Sequence, residues 1–413
     1  MDTQGIGRRI AYWRGRRRMS QQDFGRLMGQ SRRWVQDLEG GKRQTDPRLS
    51  VLESAARVLS IRLQTLLADA SGVERVDAAE LEAIRAVLHS HDLITGTSTG
   101  DAEPPPVEVL RSRVAYGWTA FQRSHFSRLG RLIPELLSDA NGAAARHHGE
   151  NQLDAFRALS MALQLTEAVS IKFAAYDLAA AAGHRAVTAA ERSGDPVIMA
   201  SAARHLADAM THSGQAHAAA RFAVAAAERL DPELKTRGAS GLSTLGMLYL
   251  KAAMAQASAA VCDDATAPAD AARAVPHLLN QAEEHADELG ADGNALWTAY
   301  GPTNVSLYRV AAHVQLSEGA DAAAVAARIP DHARAALPCE RRAHHLADLA
   351  RGLTQAGRRV EAVDTLLDAE REATEEIRSR PRTHQLIEDL RLLGAGSAQG
   401  RLRELAGRCG LPQ

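Results

Sequence analysis

Trp297, Tyr300, Asn304 and Tyr308 fall at i, i+3, i+7 and i+11, one stripe of a helix, in a chain with only sixteen aromatic residues. An asparagine amide offers both a donor and an acceptor to a peptide-like group, and aromatic rings supply contact area. The stripe is therefore a candidate ligand-binding surface; the bland alternative is packing between helices. Pro302 must either begin a helix here or kink one. Chemistry of other kinds is missing. There is no nucleophile elbow, phosphate-binding glycine loop or dinucleotide fingerprint. The sixteen histidines include His147-His148 with Glu150, and His89 with His91, but none joins a second ligand cluster at helical spacing. No catalytic residue, metal or cofactor is expected, and the chain reads as a binding protein and not an enzyme.

The elements that must position such residues are helices. Hydrophobic residues make up 45% of the chain but aromatics only 4%, and 81 of the 413 residues are alanine. Alanine is the best helix former and lets helices approach closely, whereas sheet cores want β-branched and aromatic residues. The length exceeds one ordinary core, so two or three units, or a repeat array with an appendage, are expected. Cys262, Cys339 and Cys409 lie far apart without metal-ligand spacing, which fits a reducing compartment. With no apolar leader and no eighteen-residue uncharged apolar run, the expectation is a soluble, cytoplasmic protein that meets no membrane. The net charge of −1 hides an asymmetry. Residues 1–69 carry 14 basic against 7 acidic side chains (+7), and the remainder 35 against 43 (−8). Such a split suggests a nucleic-acid-binding piece joined to something else.

That basic piece reads as five short helices. Ile6, Ile10 and Trp13 recur at helical spacing. Ser20 stands as an N-cap with Asp23 three residues on, followed by Phe24, Leu27 and Met28. Gly29 suits a left-handed turn. Ser31 can cap a third helix over 32–39, which stops at Gly40-Gly41. After Pro47, Leu49, Leu52, Ala55, Ala56 and Leu59 share a face, and Leu63, Leu66 and Leu67 follow. Two short helices flanking a glycine-bearing turn are what helix-turn-helix binding requires.

Ser20-Gln21-Gln22-Asp23-Phe24, Leu27-Met28-Gly29 and Val35-Gln36-Asp37-Leu38-Glu39-Gly40-Gly41-Lys42 resemble the phage-repressor (Cro/CI-like, XRE) domain, over about residues 5–69. The resemblance implies a lambda-repressor-like five-helix fold that binds a double-stranded DNA operator, with the helix after the turn in the major groove. Ser31, Arg32, Arg33 and Gln36 then lie at the base-reading end, and Gln21, Lys42 and Arg43 hold phosphates. An arginine fork matches guanine O6 and N7, worth about 1–3 kcal/mol of discrimination, while phosphate contacts fix register. Two residues depart from the pattern. Gly25 replaces the usual small alanine, and Trp34 is bulky for its place, to be packed on a DNA sugar or a neighbouring helix.

Residues 77–91 carry one more amphipathic helix, before a Gly/Thr-rich stretch over 95–100 and Pro104-Pro105-Pro106, which read as a linker. The divisions expected are 1–70 for the DNA-binding domain, 71–106 for a helix and flexible linker, and 107–413 for a helical array. Within the array, Leu206, Ala207, Met210, Gly214, Ala219, Ala223 and Ala226 align with Leu349, Ala350, Leu353, Gly357, Ala362, Leu366 and Ala369. This helix–glycine turn–helix unit resembles the tetratricopeptide (TPR) repeat, and the fold class is all-α, a helix-turn-helix domain followed by a TPR-like α-solenoid. The repeat register implies a concave face holding Arg204, Asp208 and Thr211 from one unit and His344, Asp348 and Arg351 from another.

The order of parts is similar to actinobacterial XRE–TPR regulators. Trp118-Thr119-Ala120-Phe121-Gln122, Glu191-Arg192-Ser193-Gly194-Asp195-Pro196 and Gly301-Pro302-Thr303-Asn304-Val305 carry that similarity. In architecture alone it is similar to peptide-sensing quorum regulators. The expectation is a homodimeric transcriptional regulator whose TPR-like domain binds a peptide or small-molecule signal through Arg204, Asp208, Trp297, Tyr300, Asn304, Tyr308, His344 and Arg351. Its dimer interface is sought in 77–91 or 383–408. The competing expectation is a TPR scaffold, localised on DNA, that answers to a protein partner.

Overall fold

Alanine-rich periodicity becomes helix throughout: the chain is all-α, a helix-turn-helix bundle followed by a helical solenoid. The computed structural model describes residues 3–16, 19–40, 49–59, 63, 78–90, 104–261 and 268–411. Lys42, Arg43, Leu66, Leu67, Cys262 and the 95–100 stretch lie outside the described residues. Two units divide the chain, residues 1–72 and 73–413. Among the described residues no helix is long and apolar enough to cross a membrane.

In the first unit the described helices are α1 (Thr3–Arg16), α2 (Gln21–Leu27), α3 (Arg32–Glu39) and α4 (Leu49–Val58). Ser20 and Ser31 cap α2 and α3 through hydroxyls that accept from the amides of Asp23 (3.1 Å) and Trp34 (3.2 Å). Gly29 takes φ +66 between them, the left-handed turn that no β-carbon favours. Ile6, Ile10, Phe24, Val35, Leu38, Leu52 and Leu59 form the core. Gly25 has a reason in this packing. A β-carbon there would sit 2.8 Å from the carbonyl oxygen of Gln30 and 3.3 Å from the Val35 side chain. Even alanine would have to push the turn away. Trp34 is half-buried and packs against the same core.

The second unit begins with α5 (Ala78–Leu88) and continues as helix pairs: α6 (Val107–Gln122) with α7 (Phe126–Arg146), α8 (Gly149–Lys172) with α9 (Tyr176–Ser193), α10 (Pro196–His212) with α11 (Ala216–Leu234). Then come α12 (Gly238–Ala260) with α13 (Pro268–Leu289), α14 (Pro302–Gln315) with α15 (Gly319–Ala326), the short α16 (Asp331–Ala335), and α17 (Cys339–Gln355) with α18 (Arg359–Glu372). The short α19 (Thr374–Arg378), α20 (Pro381–Leu393) and α21 (Gln399–Arg408) close the array. Every pair whose connection is described turns the same way. A residue at positive φ (Ser124, Ala174, Gly214, Ser317, Gly357) is followed by an amide that reaches back into the last helical turn. These bonds run from His125 to Ala120, Ala175 to Ser170, Gln215 to Met210, Glu318 to His313 and Arg358 to Leu353, at 2.8–2.9 Å. The repeat is thus regular in geometry where it looks degenerate in sequence, because serine or alanine holds the left-handed position in three turns.

Helix α5 does not stand apart as linker. Ile84 and Leu88 are buried in the core of α6–α9, and Arg85 pairs with Asp177 at 2.6 Å. Its apolar face is therefore covered within the chain and is not free to form a dimer. In the 383–408 region Leu386, Ile387, Leu390, Leu402 and Leu405 are likewise buried, which leaves Leu392 (86% exposed) and Leu393 outside.

Small residues govern how closely the pairs approach. On α12, Gly246 lies against the Tyr300 ring and hydroxyl, which occupy the space of its missing β-carbon. Gly246→Ala is expected to cost about 1–3 kcal/mol by overpacking; a urea midpoint that does not fall would show that Tyr300 can move aside.

Candidate functional site: an exposed helix face and a charged cavity

On α3 the buried residues are Val35 and Leu38, so the other face is left to solvent. Ser31, Arg32, Arg33 and Gln36 are all exposed. Neither Arg32 nor Arg33 has a hydrogen-bond or ion-pair partner among the described residues. Arg14 shows the contrast: its guanidinium grips Glu39 through Nε and Nη2, at 2.6 and 3.0 Å. Gln21 joins that internal strut, donating to Glu39 Oε2 at 2.8 Å, so its amide is engaged within the bundle.

In the second unit the first helix of each pair lines one cavity of about 400 Å³. Trp118 and Phe121 come from α6, Glu167 and Lys172 from α8, and Arg204, His205, Asp208 and His212 from α10. Met247 and Lys251 (α12), Asn304 and Tyr308 (α14), and Glu340, Arg341, His344, Asp348 and Arg351 (α17) complete the ring with Trp297, Arg380 and Arg382. Seven of the eight expected ligand residues thus meet at one place: Arg204, Asp208, Trp297, Asn304, Tyr308, His344 and Arg351.

Tyr300 does not. It is fully buried, and its hydroxyl donates to the Ala282 carbonyl in the core of the α12–α13 pair. The expectation of a single helical stripe is also corrected. Pro302 begins α14, and the residues before it form a strained turn with Leu296, Trp297 and Ala299 at φ +50, +54 and +48. Each non-glycine residue held there costs of order 1–3 kcal/mol, so the surroundings must hold the turn in place. Asn294 Oδ1 accepts from the Ala299 amide at 3.1 Å and from Gln122 Nε2 at 2.9 Å. Gln122 also donates to the Trp297 carbonyl at 3.2 Å. The result stacks Trp297 on Trp118, with ring centroids 6.1 Å apart and planes 15° apart.

Charges in the cavity are mostly paired. Lys251 donates to Asp208 at 2.7 Å; burial alone would lower the Lys251 pKa, but Asp208 and the neighbouring Tyr308 hold it above its ordinary value. Lys172 lies between Glu340 and Glu376, at 2.9 Å from the latter, and Arg380 donates to the same Glu376 oxygen at 2.6 Å. Glu340, His344 and Glu376 place donor atoms within 4.8 Å of one another, a set suited to a cation. The Lys172 ammonium supplies that cation. His205 and Glu167 meet at 2.6 Å. Burial pushes the Glu167 carboxyl well above its ordinary value and the His205 imidazole well below its own, so both favour neutral forms. Tyr308 carries a guanidinium over its ring, Arg341 at 4.7 Å, and Arg341 Nε donates to Asn304 Oδ1 at 2.6 Å. Asn304 is therefore held by Arg341 and, through its own amide, donates to the Thr298 carbonyl at 3.4 Å.

Sequence reasoning did not anticipate Lys172, His205, Lys251 or Arg380 as cavity residues. For α6 and α8 the regularity of the described turns gives the missing signal, since it assigns them to the same concave register as α10 and α17. The Trp118–Gln122 stretch and the residues around Asn304 come together at the strained turn.

No family model matches the chain, and no curated protein matches it. Among solved structures, the crystal structure of Bacillus thuringiensis PlcR in complex with the peptide PapR7 and DNA aligns over 70% of this chain and 96% of that one. The identity is 11% and the TM-score 0.27, a likeness too slight for any residue or ligand to be carried across.

Proposed function

We propose that this chain is a DNA-binding transcriptional regulator whose solenoid binds a signal, a peptide or a small molecule, and changes operator affinity when it does so. The reading is of a binding protein, with no reaction assigned. What supports it most is the capped, solvent-facing start of α3, where Arg32 and Arg33 extend without partners among the described residues. A forked cation with no carboxylate partner among the described residues is available for guanine edges or phosphates. The charged cavity in the same chain supports the sensing half. Binding as a homodimer to two half-sites about one helical turn apart belongs to the same proposal.

The test begins with selection of bound duplexes from a random library, followed by titration of the selected operator. Arg32→Ala and Arg33→Ala are each expected to weaken binding by about 1–3 kcal/mol and to relax preference at one base pair. Operator affinity that survives both changes would remove α3 as the reading element.

A further inference from the structure

Arg204 is 5% exposed and makes no hydrogen bond or ion pair with any described residue, and its Nε and Nη2 are buried without a partner. Two acidic groups act on it electrostatically: Asp208 accepts from Lys251, and Glu167, which favours its neutral form, meets His205 through Oε2 and keeps a buried Oε1 without a partner. Arg341 likewise has a buried Nη2 with no partner, although its Nε is fixed by Asn304. A buried guanidinium without a paired carboxylate is costly, and folding alone gives no reason to retain one beside a second, half-buried guanidinium in the same cavity. Seven basic side chains line that cavity against four acidic ones, so an excess of positive charge remains once the internal pairs are counted.

The apolar part of the cavity is tied to both arginines. Trp297 stacks on Trp118, whose ring lies 5.6 Å from that of His205, the neighbour of Arg204. On the other side Thr298, next to Trp297, accepts from Asn304, which holds Arg341. Strain in the turn that presents Trp297 is of the kind retained at ligand clamps. The volume, about 400 Å³, lies at the lower end of the ~300–1,000 Å³ typical of small-molecule sites.

Resting on the sensor reading above, we propose that the cavity binds a small aromatic carboxylate, its head on the guanidinium groups of Arg204 and Arg341 and its ring against Trp297. A planar carboxylate satisfies guanidinium N–H groups two at a time, and the indole face accepts the ring.

Isothermal titration and tryptophan fluorescence of the full chain with 2-naphthoate, 2-naphthamide and acetate test this. Naphthoate is expected to saturate one site per chain and to quench fluorescence. The isosteric neutral amide should bind at least tenfold more weakly, and acetate should not saturate. Arg204→Met should abolish the preference for acid over amide, and should raise the melting temperature of the solenoid because an unpaired buried charge is gone. Arg341→Met, checked for helical content, gives the second reading of the same loss. Equal affinity for acid and amide, unchanged naphthoate binding in both variants, or no saturable naphthoate binding by the folded chain would each overturn the proposal. If naphthoate binds through Arg204 yet leaves operator affinity unchanged, the anion site stands and the coupling to DNA fails.

Discussion

Lys172→Met is expected to destabilise the solenoid by about 3–5 kcal/mol, the typical cost of removing one partner from a buried ion cluster. Lys172 is 5% exposed and its two acceptors, Glu340 and Glu376, are 8% and 0% exposed. It joins α8 to α17 and α19, residues separated by 168 and 204 positions. Burial by itself would raise both carboxyls. Lys172 and His344 overcome this for Glu340, which lies below its ordinary range, whereas burial wins for Glu376, whose affinity for a proton is raised. Without the ammonium, Arg380 faces two buried carboxylates alone. One of them should then take up a proton, so the defect relative to wild type should be smaller at pH 5 than at pH 8. Adding Glu340→Gln should recover much of the loss, because the Glu376–Arg380 pair at 2.6 Å remains balanced. Chemical denaturation of the three chains at both pH values checks each point. A loss below about 1 kcal/mol would show that water compensates the carboxylates and that the cluster is not closed.

The second large effect is a fall in solenoid stability as the pH drops below about 6.5. Burial, with Arg380 and Lys172 nearby, lowers the pKa of His344 to about 3. Burial, with Arg341, lowers that of His345 to about 4. In the unfolded chain both titrate near 6.5. Between roughly pH 6.5 and 4 the unfolded state therefore binds protons that the folded state refuses, and stability rises with pH across that window. Each histidine contributes at most ~1.4 kcal/mol per pH unit. With allowance for the partial exposure of His344, about 2 kcal/mol per unit is expected for the two together. Below pH 4 the loss continues as Asp348 is protonated. Burial would raise that carboxyl, but His344 and Arg351 hold it at about 2. Glu167 works the other way, since its raised pKa favours the folded state in acid. His345 is 1% exposed and neither ring nitrogen has a partner. His205, His212 and His285, also lowered by burial, add to the same slope, so His345→Leu should flatten it by at most ~1.4 kcal/mol per pH unit without loss of packing. Urea midpoints at pH 7.5, 6 and 5 measure it, and an unchanged slope in the variant would remove His345 from the account.

Local features were legible in the sequence for local reasons. Ser20 and Ser31 cap helices because a hydroxyl three residues upstream of a free amide can hardly do otherwise, and Gly29, Gly214 and Gly357 mark left-handed turns. The exposed Arg32, Arg33 and Gln36 follow from the positions of Val35 and Leu38 on the same short helix. Harder to read were Ser124, Ala174 and Ser317, which take the same backbone conformation without glycine's freedom and so conceal three repeats. Gly25, which looks like a defect in helix propensity, is required by a carbonyl that arrives from the next turn.

The ligand surface divides along the same line. The alanine excess, the helix periods and the opposite charges of the two ends sufficed to determine an all-α chain with a basic bundle ahead of a long helical array. The spacing of Trp297, Tyr300, Asn304 and Tyr308 did not determine a surface, because Pro302 starts a new helix and a turn with three left-handed residues precedes it. That turn sends Tyr300 into the core and Trp297 into the cavity. Nor could spacing reveal which arginines are spent. Arg14 and Arg380 are paired with carboxylates remote or near in sequence, whereas Arg204 is left without one among the described residues, and only the packing of six helix pairs decides the difference. Charge pairing depends on distances of a few ångströms between residues hundreds of positions apart, and those distances exist only once the solenoid has closed around them.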